Sequence, residues 1–223
     1  MNDTSTVVVR RSESVLATNK LIRNTYMLLS MTLLFSAFTA GLSMVFNLPH
    51  PGMLITLVGY FGLLFLTSAL RNSAWGLAAI FALTGFMGLT LGPIISAYLT
   101  VFSNGTQLVM TALGGTGAIF LGLSAYALTT RKDFSFMGGF LMVGILVAFL
   151  AGLGAAIFSI PVLSLAVSGM FVLLMSGLIL YETSQMIHGG ETNYIMATIS
   201  LYVSIYNLFL SLLHLLGAFA GED

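Results

Sequence analysis

The sequence predicts an all-α polytopic membrane protein, a compact bundle of seven transmembrane helices with the seventh helix at its centre. Hydrophobic residues make up 58% of the 223-residue chain and charged residues only 6%, whereas a soluble domain carries about 25% charged residues. Seven uncharged apolar runs are each long enough to cross a bilayer. Every Lys and Arg falls on one side when these runs are threaded as spans. The chain is therefore not a water-soluble globule, and the lipid bilayer is its solvent.

Each predicted span follows from an apolar run of the length that a hydrocarbon core requires, about 20 residues. The spans are residues 25–46, 53–70, 74–101, 108–129, 134–158, 162–181 and 194–219. Pro93 predicts a bend in the third span, because proline removes a backbone donor. The chain thus divides into a disordered cytoplasmic N-terminal arm (1–24), a membrane domain (25–219) and a short C-terminal tail (220–223).

The distribution of basic residues predicts the orientation. Lys and Arg occur in the arm, at Arg71 after the second span, and at Arg131 and Lys132 after the fourth. By the positive-inside rule the N-terminus is cytoplasmic, and seven spans place the C-terminus outside. Short loops without appended domains favour a bacterial inner membrane protein. The chain has no cysteine for a disulfide or thiolate site, and nothing in it predicts a cofactor, a metal site or a nucleic-acid partner.

The seventh span carries a polar stripe at helical spacing. Its members are Asn193, Ser200, Ser204, Asn207, Ser211 and His214. Residues at these separations share one face of a helix, and polar groups facing lipid cost several kcal/mol each when unsatisfied. The helix should therefore lie inside the bundle, with its stripe either hydrogen-bonded to other helices or lining a water-filled path. The sequence leaves both alternatives open.

Two further features were considered as sites of chemistry. Glu182 follows an apolar span without an adjacent basic residue, so it is either a solvated interfacial carboxylate or, if desolvated, a group that titrates near neutral pH. Ser176 and His214 contain the groups of a serine-protease dyad, but the predicted spans place them several turns apart. We therefore predict no enzyme.

Glycines recur in three spans and predict close helix packing. They are Gly85, Gly88 and Gly92 in the third span, Gly115 and Gly122 in the fourth, and Gly138, Gly152 and Gly154 in the fifth. None lies in the strand-turn-helix setting of a phosphate loop.

Several strings in order resemble the Bax inhibitor-1 family of seven-span proteins, over essentially the whole chain. They are residues 91–94 (LGPI), 131–136 (RKDFSF), 181–185 (YETSQ), 200–202 (SLY) and 207–209 (NLF). Residues 23–26 (RNTY), 128–133 (LTTRKD) and 188–194 (HGGETNY) are similar to a bacterial branch of that family. The resemblance implies that such proteins bind the membrane-anchored protease FtsH, with its HflK and HflC companions, as slowly degraded substrates that restrain proteolysis.

The same family implies a second function, a pH-sensitive leak of Ca²⁺ or H⁺. Other bacterial members gate it with two aspartates at the cytoplasmic ends of spans six and seven. Glu182 matches the first aspartate, but Ser204 occupies the second position, and a hydroxyl cannot share a proton as a second carboxylate would. The candidate residues of this pathway are Glu182, Ser204, Asn207, His214 and Arg71.

The arm supports the protease hypothesis. Residues 1–24 are rich in Ser, Thr, Asn and charge and poor in large apolar groups, which favours disorder. A processive protease needs a loose end, so we expect a handle that includes Arg10, Arg11, Glu13 and Lys20. The alternative is an inert terminus that carries topology charges.

Overall fold

The computed structural model describes residues 3–221, with side chains from Thr18 onward. Its helices are α1 (Asp3–Val45), α2 (Met53–Leu70), α3 (Trp75–Val101), α4 (Gly105–Thr130), α5 (Gly138–Ile157), α6 (Pro161–His188) and α7 (Tyr194–Ala220). Seven helices are long and apolar enough to cross a membrane, and the described residues contain no strand. The predicted fold class and number of spans are confirmed.

Several predicted boundaries were wrong. Helix α1 runs unbroken from Asp3, so residues 3–24, which were expected to belong to a disordered arm, are helical. Helix α6 continues past Tyr181 to His188 and ends where Gly189 adopts a left-handed conformation (φ 81°). No glycine or proline interrupts residues 182–188, so polarity alone does not end the helix. Glu182 therefore lies inside α6 and not in a connection.

Smaller shifts occur at other helix ends. The fourth helix begins at Gly105 instead of residue 108. A single 3₁₀ turn, Ser135–Met137, precedes the fifth helix. At the C-terminus, α7 ends at Ala220, and the last two residues of the predicted tail lie outside the described residues.

Helix α7 is the centre of the bundle, as predicted. It packs against α1, α3, α4 and α6, whereas α2 packs on α3 and α5 packs on α6. Each of the three buried apolar clusters includes side chains of α7, such as Leu201, Leu208 and Leu213, all fully buried. The span that carries the polar stripe is thus surrounded by neighbouring helices.

Glycines let α1 and α3 approach closely. A Cβ atom added at Gly85 would lie 2.7 Å from the Phe35 ring, and one added at Gly92 would lie 2.6 Å from Ser43 Cβ. A Cβ atom added at Gly88, which lies between these two glycines, would collide with the backbone of Ser36 on α1. The predicted packing role is confirmed for this stripe.

Other predicted packing glycines behave differently. An added Cβ at Gly122 or Gly154 would meet nothing within 4 Å, so the prediction of close packing was wrong at these two positions. Gly115 and Gly152 allow only ordinary contacts of 3.5 and 3.4 Å, with Leu212 and Val167.

Pro93 lies inside α3, and the helix continues through it. The missing N–H of Pro93 leaves the carbonyl of Leu89, four residues earlier, without its helical donor. The hydroxyl of Ser43 on α1 donates to that carbonyl at 2.9 Å. A neighbouring helix thus satisfies the backbone group that the proline frees.

Candidate functional site

The α2–α3, α4–α5 and α6–α7 connections lie together at one end of the bundle, which we call the basic end. Every charged side chain that the structure describes is at or near this end: Lys20, Arg23, Arg71, Arg131, Lys132, Asp133, Glu182 and Glu191. The opposite end has none among the described side chains. The charge asymmetry predicted for Lys and Arg therefore extends to the described acids.

The α4–α5 connection is fastened to the end of α6. The Ser184 hydroxyl, fully buried, accepts a hydrogen bond from the Phe134 backbone N–H at 3.0 Å and donates to the Lys132 carbonyl at 3.3 Å. The Ser135 hydroxyl donates to Gln185 Oε1 at 3.2 Å. Two of the strings that carry the family resemblance, residues 131–136 and 181–185, thus meet in space.

The exposed side chain of Asp133 also stabilises the α4–α5 connection. Its Oδ1 accepts a hydrogen bond from the Ser135 backbone N–H at 2.8 Å. Hydrogen bonding by Ser135 holds the pKa of the Asp133 carboxyl below its usual value, because hydrogen bonds to the charged form favour it. The carboxylate therefore stays ionised and orders the turn that leads into α5.

The α6–α7 connection is a tight, hydrogen-bonded turn. The backbone N–H groups of Gly190 and Glu191 both donate to the Gln185 carbonyl, at 2.9 and 3.2 Å. The Glu191 carboxylate accepts from the backbone N–H groups of Thr192 and Asn193, at 2.7 and 2.6 Å. Its negative charge lies at the positive end of α7, a favourable placement. No group of three or more metal-ligating side chains occurs among the described residues.

Asn193 joins two connections. Its Oδ1 caps α7 by accepting from the N–H groups of Ile195 and Met196, at 3.0 and 3.1 Å. Its Nδ2 donates to the Arg71 carbonyl at 3.1 Å and to Asn72 Oδ1 at 2.9 Å. The first member of the predicted stripe is therefore a helix cap, and Arg71 takes part through its backbone while its side chain is exposed.

Glu182 meets α7 at Ser200. The Glu182 side chain is partly buried, and the Ser200 hydroxyl lies near its carboxyl group. Ser204, one turn further along α7, is fully buried and donates to the Ser200 carbonyl at 2.8 Å, within its own helix. Asn207 likewise donates to the Val203 carbonyl at 2.8 Å. Residue 204, the position matched to the second acid of the family, is thus one helical turn from Ser200, the residue that lies near Glu182.

His214 belongs to the opposite end. It lies 14 residues after Ser200 on α7, which is about 21 Å of helix. Its Nδ1 is 2.8 Å from the hydroxyl of Ser168 on α6. Ser176 instead donates to the carbonyl of Val172 in its own helix, at 2.7 Å, so the Ser176–His214 dyad does not form. The five residues of the predicted ion pathway do not make one site.

The residues of the predicted protease handle are only partly described. The side chains of Arg10, Arg11 and Glu13 lie outside the described residues. Lys20 is exposed, and packing of α1 against the core begins with Leu21 and Ile22.

Sequence reasoning missed the fastening role of Ser184 and Gln185. One feature of the sequence could have indicated this role. Residues 131–136 and 181–185 both belong to the family resemblance, and both lie at span ends on the same side of the membrane. It also missed the buried contact of Ser36 with Tyr202, at 2.6 Å between hydroxyl oxygens. A serine in the first span gives no hint of its partner 166 residues away.

Fold and contacts define the class: a polytopic seven-helix membrane protein whose connections at the basic end are joined by hydrogen bonds. Residues 18–221 match the family described as "Inhibitor of apoptosis-promoting Bax1". The chain belongs to this Bax inhibitor-1 family, which confirms the resemblance.

Similar proteins cover nearly the whole chain. The "Modulator of FtsH protease YccA" of Escherichia coli K12 is 56% identical over 211 residues, 94% of each chain. The "Inner membrane protein YccA" of E. coli O6:H1 matches equally, at 56% over 94% of each chain. An uncharacterized protein of Pseudomonas aeruginosa is 55% identical over 202 residues, 91% of this chain and 90% of its own. The predicted similarity to the branch that modulates FtsH is confirmed.

Proposed function

We propose that this protein modulates FtsH in membrane protein quality control, as a slowly degraded substrate that occupies the protease and not as an enzyme. The observation that carries the proposal is the 56% identity, over 94% of both chains, to a protein named a modulator of that protease. HflK and HflC, which the family resemblance implies as companions of FtsH, are the further partners of the proposal.

The packing of α1 supports slow degradation. A protease that pulls from the N-terminus must first detach α1 from α3 and α7, the helices against which it packs most closely. Gly88 and Gly92 bring the backbones of α1 and α3 together, and the hydrogen bond of Ser36 with Tyr202 ties α1 to the centre of the bundle. Extraction must break these contacts within lipid, where freed polar groups find no water.

The arm is the proposed handle. The membrane-spanning part of α1 begins near Thr18, and its first core contacts are made by Leu21 and Ile22. The residues before them, with Arg10, Arg11, Glu13 and Lys20, would be the first to enter a cytoplasmic protease.

We further propose an inner membrane location with the basic end in the cytoplasm. The positive-inside rule supports this orientation, and a similar E. coli protein is named an inner membrane protein. Alkaline phosphatase fused after Asp223 should be active and green fluorescent protein fused there should be dark. The reverse pattern would contradict the orientation.

The experiment that tests the proposed function is affinity capture of the tagged protein from its own membranes in mild detergent, with mass spectrometry of the recovered proteins. The full-length chain should recover FtsH with HflK and HflC. A matched seven-span protein of the same membrane, with the same tag, is the control. Recovery of FtsH no greater than in the control would refute the proposal.

A cation pathway is the second candidate, favoured by one observation. Glu182 lies within α6, near the basic end, and is partly buried near Ser200 of α7, so an ionisable group is packed between two helices. Such a residue in a membrane span is expensive and commonly functional. Ion flux in liposomes tests this candidate.

A further inference from the structure

A cavity of about 550 Å³ opens into the side of the bundle, between α2 and α5. Its wall is formed by five helices and includes Phe61 on α2, Phe86 on α3, and Met142 and Leu146 on α5. The side chains of Phe61, Met142 and Leu146 are 47%, 77% and 57% exposed, so they form a mouth that faces the surrounding lipid.

Polar side chains occur in the largely apolar lining of the cavity, and we call four of them its floor. Tyr60 of α2, Thr90 of α3, and Tyr206 and Asn207 of α7 all contribute to its lining. Thr90 and Asn207 lie close to the middle of their helices, so these groups are near the middle of the membrane. The proposed modulation of FtsH does not account for polar groups gathered behind an apolar mouth, and only Asn207 among them belongs to the candidate cation pathway.

These floor groups retain unused hydrogen-bonding capacity. Asn207 donates one amide hydrogen to the Val203 carbonyl. The Thr90 hydroxyl donates to the Met87 carbonyl, and its oxygen lies 3.4 Å from the Tyr206 hydroxyl oxygen. Within residues 18–221, no partner is found for the Tyr60 hydroxyl or the Asn207 amide oxygen. An unmet donor and acceptor opening toward hydrocarbon are costly, so an occupant that hydrogen-bonds to them would be favoured.

The size of the cavity indicates a small molecule. Its volume is within the range of about 300–1,000 Å³ that ligand sites span. A transmembrane helix, with a diameter of about 10–12 Å, fills about 500 Å³ in a single turn. The cavity could therefore not accommodate a partner helix, although it can hold one extended hydrocarbon chain.

The charge of the lining indicates a neutral ligand. None of the residues that line the cavity is charged, and the described charged side chains are gathered at the basic end. A phosphate or carboxylate headgroup would enter this site without a counter-ion, at a large desolvation cost. A hydroxyl or ester carbonyl instead matches the groups that Tyr60 and Asn207 present.

We propose that this lateral cavity, between α2 and α5 and floored by Tyr60, Thr90, Tyr206 and Asn207, binds a single-chain neutral lipid of the monoacylglycerol type. The acyl chain lies along the apolar wall, and the hydroxyl-bearing head reaches the floor. Glu182 is not among the residues that line the site.

Photolabelling tests the site directly. The full-length protein is reconstituted into vesicles of phosphatidylethanolamine and phosphatidylglycerol that contain a diazirine- and alkyne-bearing monoacylglycerol, and labelled peptides are mapped by mass spectrometry. Labelling should saturate, concentrate on peptides of α5 and α7, and fall when unlabelled monoacylglycerol is added. Labelling that does not saturate, or that spreads evenly over the lipid-facing helices, would overturn the proposal.

Matched variants distinguish the cavity from the general lipid surface. Leu146→Trp should reduce labelling at least about fivefold by filling the cavity, as should Met142→Trp, whose exposed position tolerates a larger side chain. Val147→Trp is the control, because Val147 is 54% exposed on the same helix but does not line the cavity. Equal labelling of the Leu146 and Val147 variants, each eluting as a monodisperse species, would refute the site.

The headgroup assignment has its own readout. Asn207→Leu should weaken competition by monoacylglycerol about fivefold, the effect of one lost hydrogen bond. A lysophosphatidate probe with the same acyl chain should label the cavity at least about tenfold less, because of its charge. Equal labelling by the two probes would overturn the assignment of a neutral ligand.

Discussion

The hydroxyl oxygens of Tyr202 on α7 and Ser36 on α1 lie 2.6 Å apart in the interior of the bundle. Tyr202 is 1% exposed and Ser36 5%, and Tyr202 also approaches the Thr84 carbonyl of α3 at 3.4 Å. The Tyr202 side chain of the central helix α7 thus contacts both α1, the N-terminal helix, and α3, the helix against which α1 packs.

Tyr202→Phe should lower the free energy of unfolding by about 1–2 kcal/mol, because the Ser36 hydroxyl loses its buried partner. Titration of the purified protein with denaturing detergent measures this change. Tyr126→Phe is the control, since Tyr126 is 43% exposed. In a double-mutant cycle, Ser36→Ala should add little to Tyr202→Phe. Additive losses would show that the two hydroxyls do not interact.

Gly88→Ala should lower the free energy of unfolding by about 1–3 kcal/mol, because its methyl group would collide with the Ser36 backbone and force α1 from α3. Gly62→Ala, where an added Cβ meets nothing within 4 Å, should instead be neutral or stabilise the helix by up to about 1 kcal/mol. Thermal denaturation followed by size-exclusion chromatography measures both. Equal effects would contradict the close packing of α1 and α3.

Deletion of residues 2–12 should lengthen the half-life of the protein in cells that contain FtsH, because the protease loses its handle. Replacing these residues with an unrelated polar segment of equal length should restore degradation, since the proposal requires a terminal segment ahead of the packed part of α1 and not its particular sequence. Pulse-chase measurements with and without FtsH give both values. An unchanged half-life and unchanged restraint of other substrates would exclude the arm as the handle.

Ser184→Ala should raise hydrogen exchange in residues 131–137, because the Phe134 N–H loses its acceptor and the Lys132 carbonyl its donor. The expected loss of stability is about 1–2 kcal/mol. Ser176→Ala on the same helix is the matched control, since its hydroxyl donates only to its own helix. Exchange that rises equally in both variants would argue against a fastened α4–α5 connection.

Ser204→Asp should increase pH-dependent Ca²⁺ flux into proteoliposomes over that of the native chain if the bundle contains a cation pathway. Residue 204 lies one turn from Ser200, which is near Glu182, so the change supplies a second acid to that region. Adding Glu182→Gln should abolish the increase. A flux that changes neither with pH nor with either substitution would exclude a role of Glu182 in conduction.

Candidate sites were predicted less completely than the fold. The polar stripe correctly indicated that α7 is central, yet its members proved to have separate roles. Asn193 caps the helix, Ser200 meets Glu182, and His214 contacts Ser168. Helical spacing fixes which residues share a face, but 27 residues of helix span both ends of the bundle, so residues on one face need not share one site.

The sequence by itself determined the seven spans and the gathering of charge at one end, because bilayer thickness and the cost of buried charge act on each segment separately. It also determined the family, through strings that need no three-dimensional context. Only the tertiary structure decided that Ser43 satisfies the carbonyl freed by Pro93, that Ser184 fastens the α4–α5 connection, and that a polar-floored cavity opens between α2 and α5. These features arise between helices distant in sequence, and in lipid the choice of neighbours depends on packing and hydrogen bonds rather than on hydrophobicity, which all the helices share.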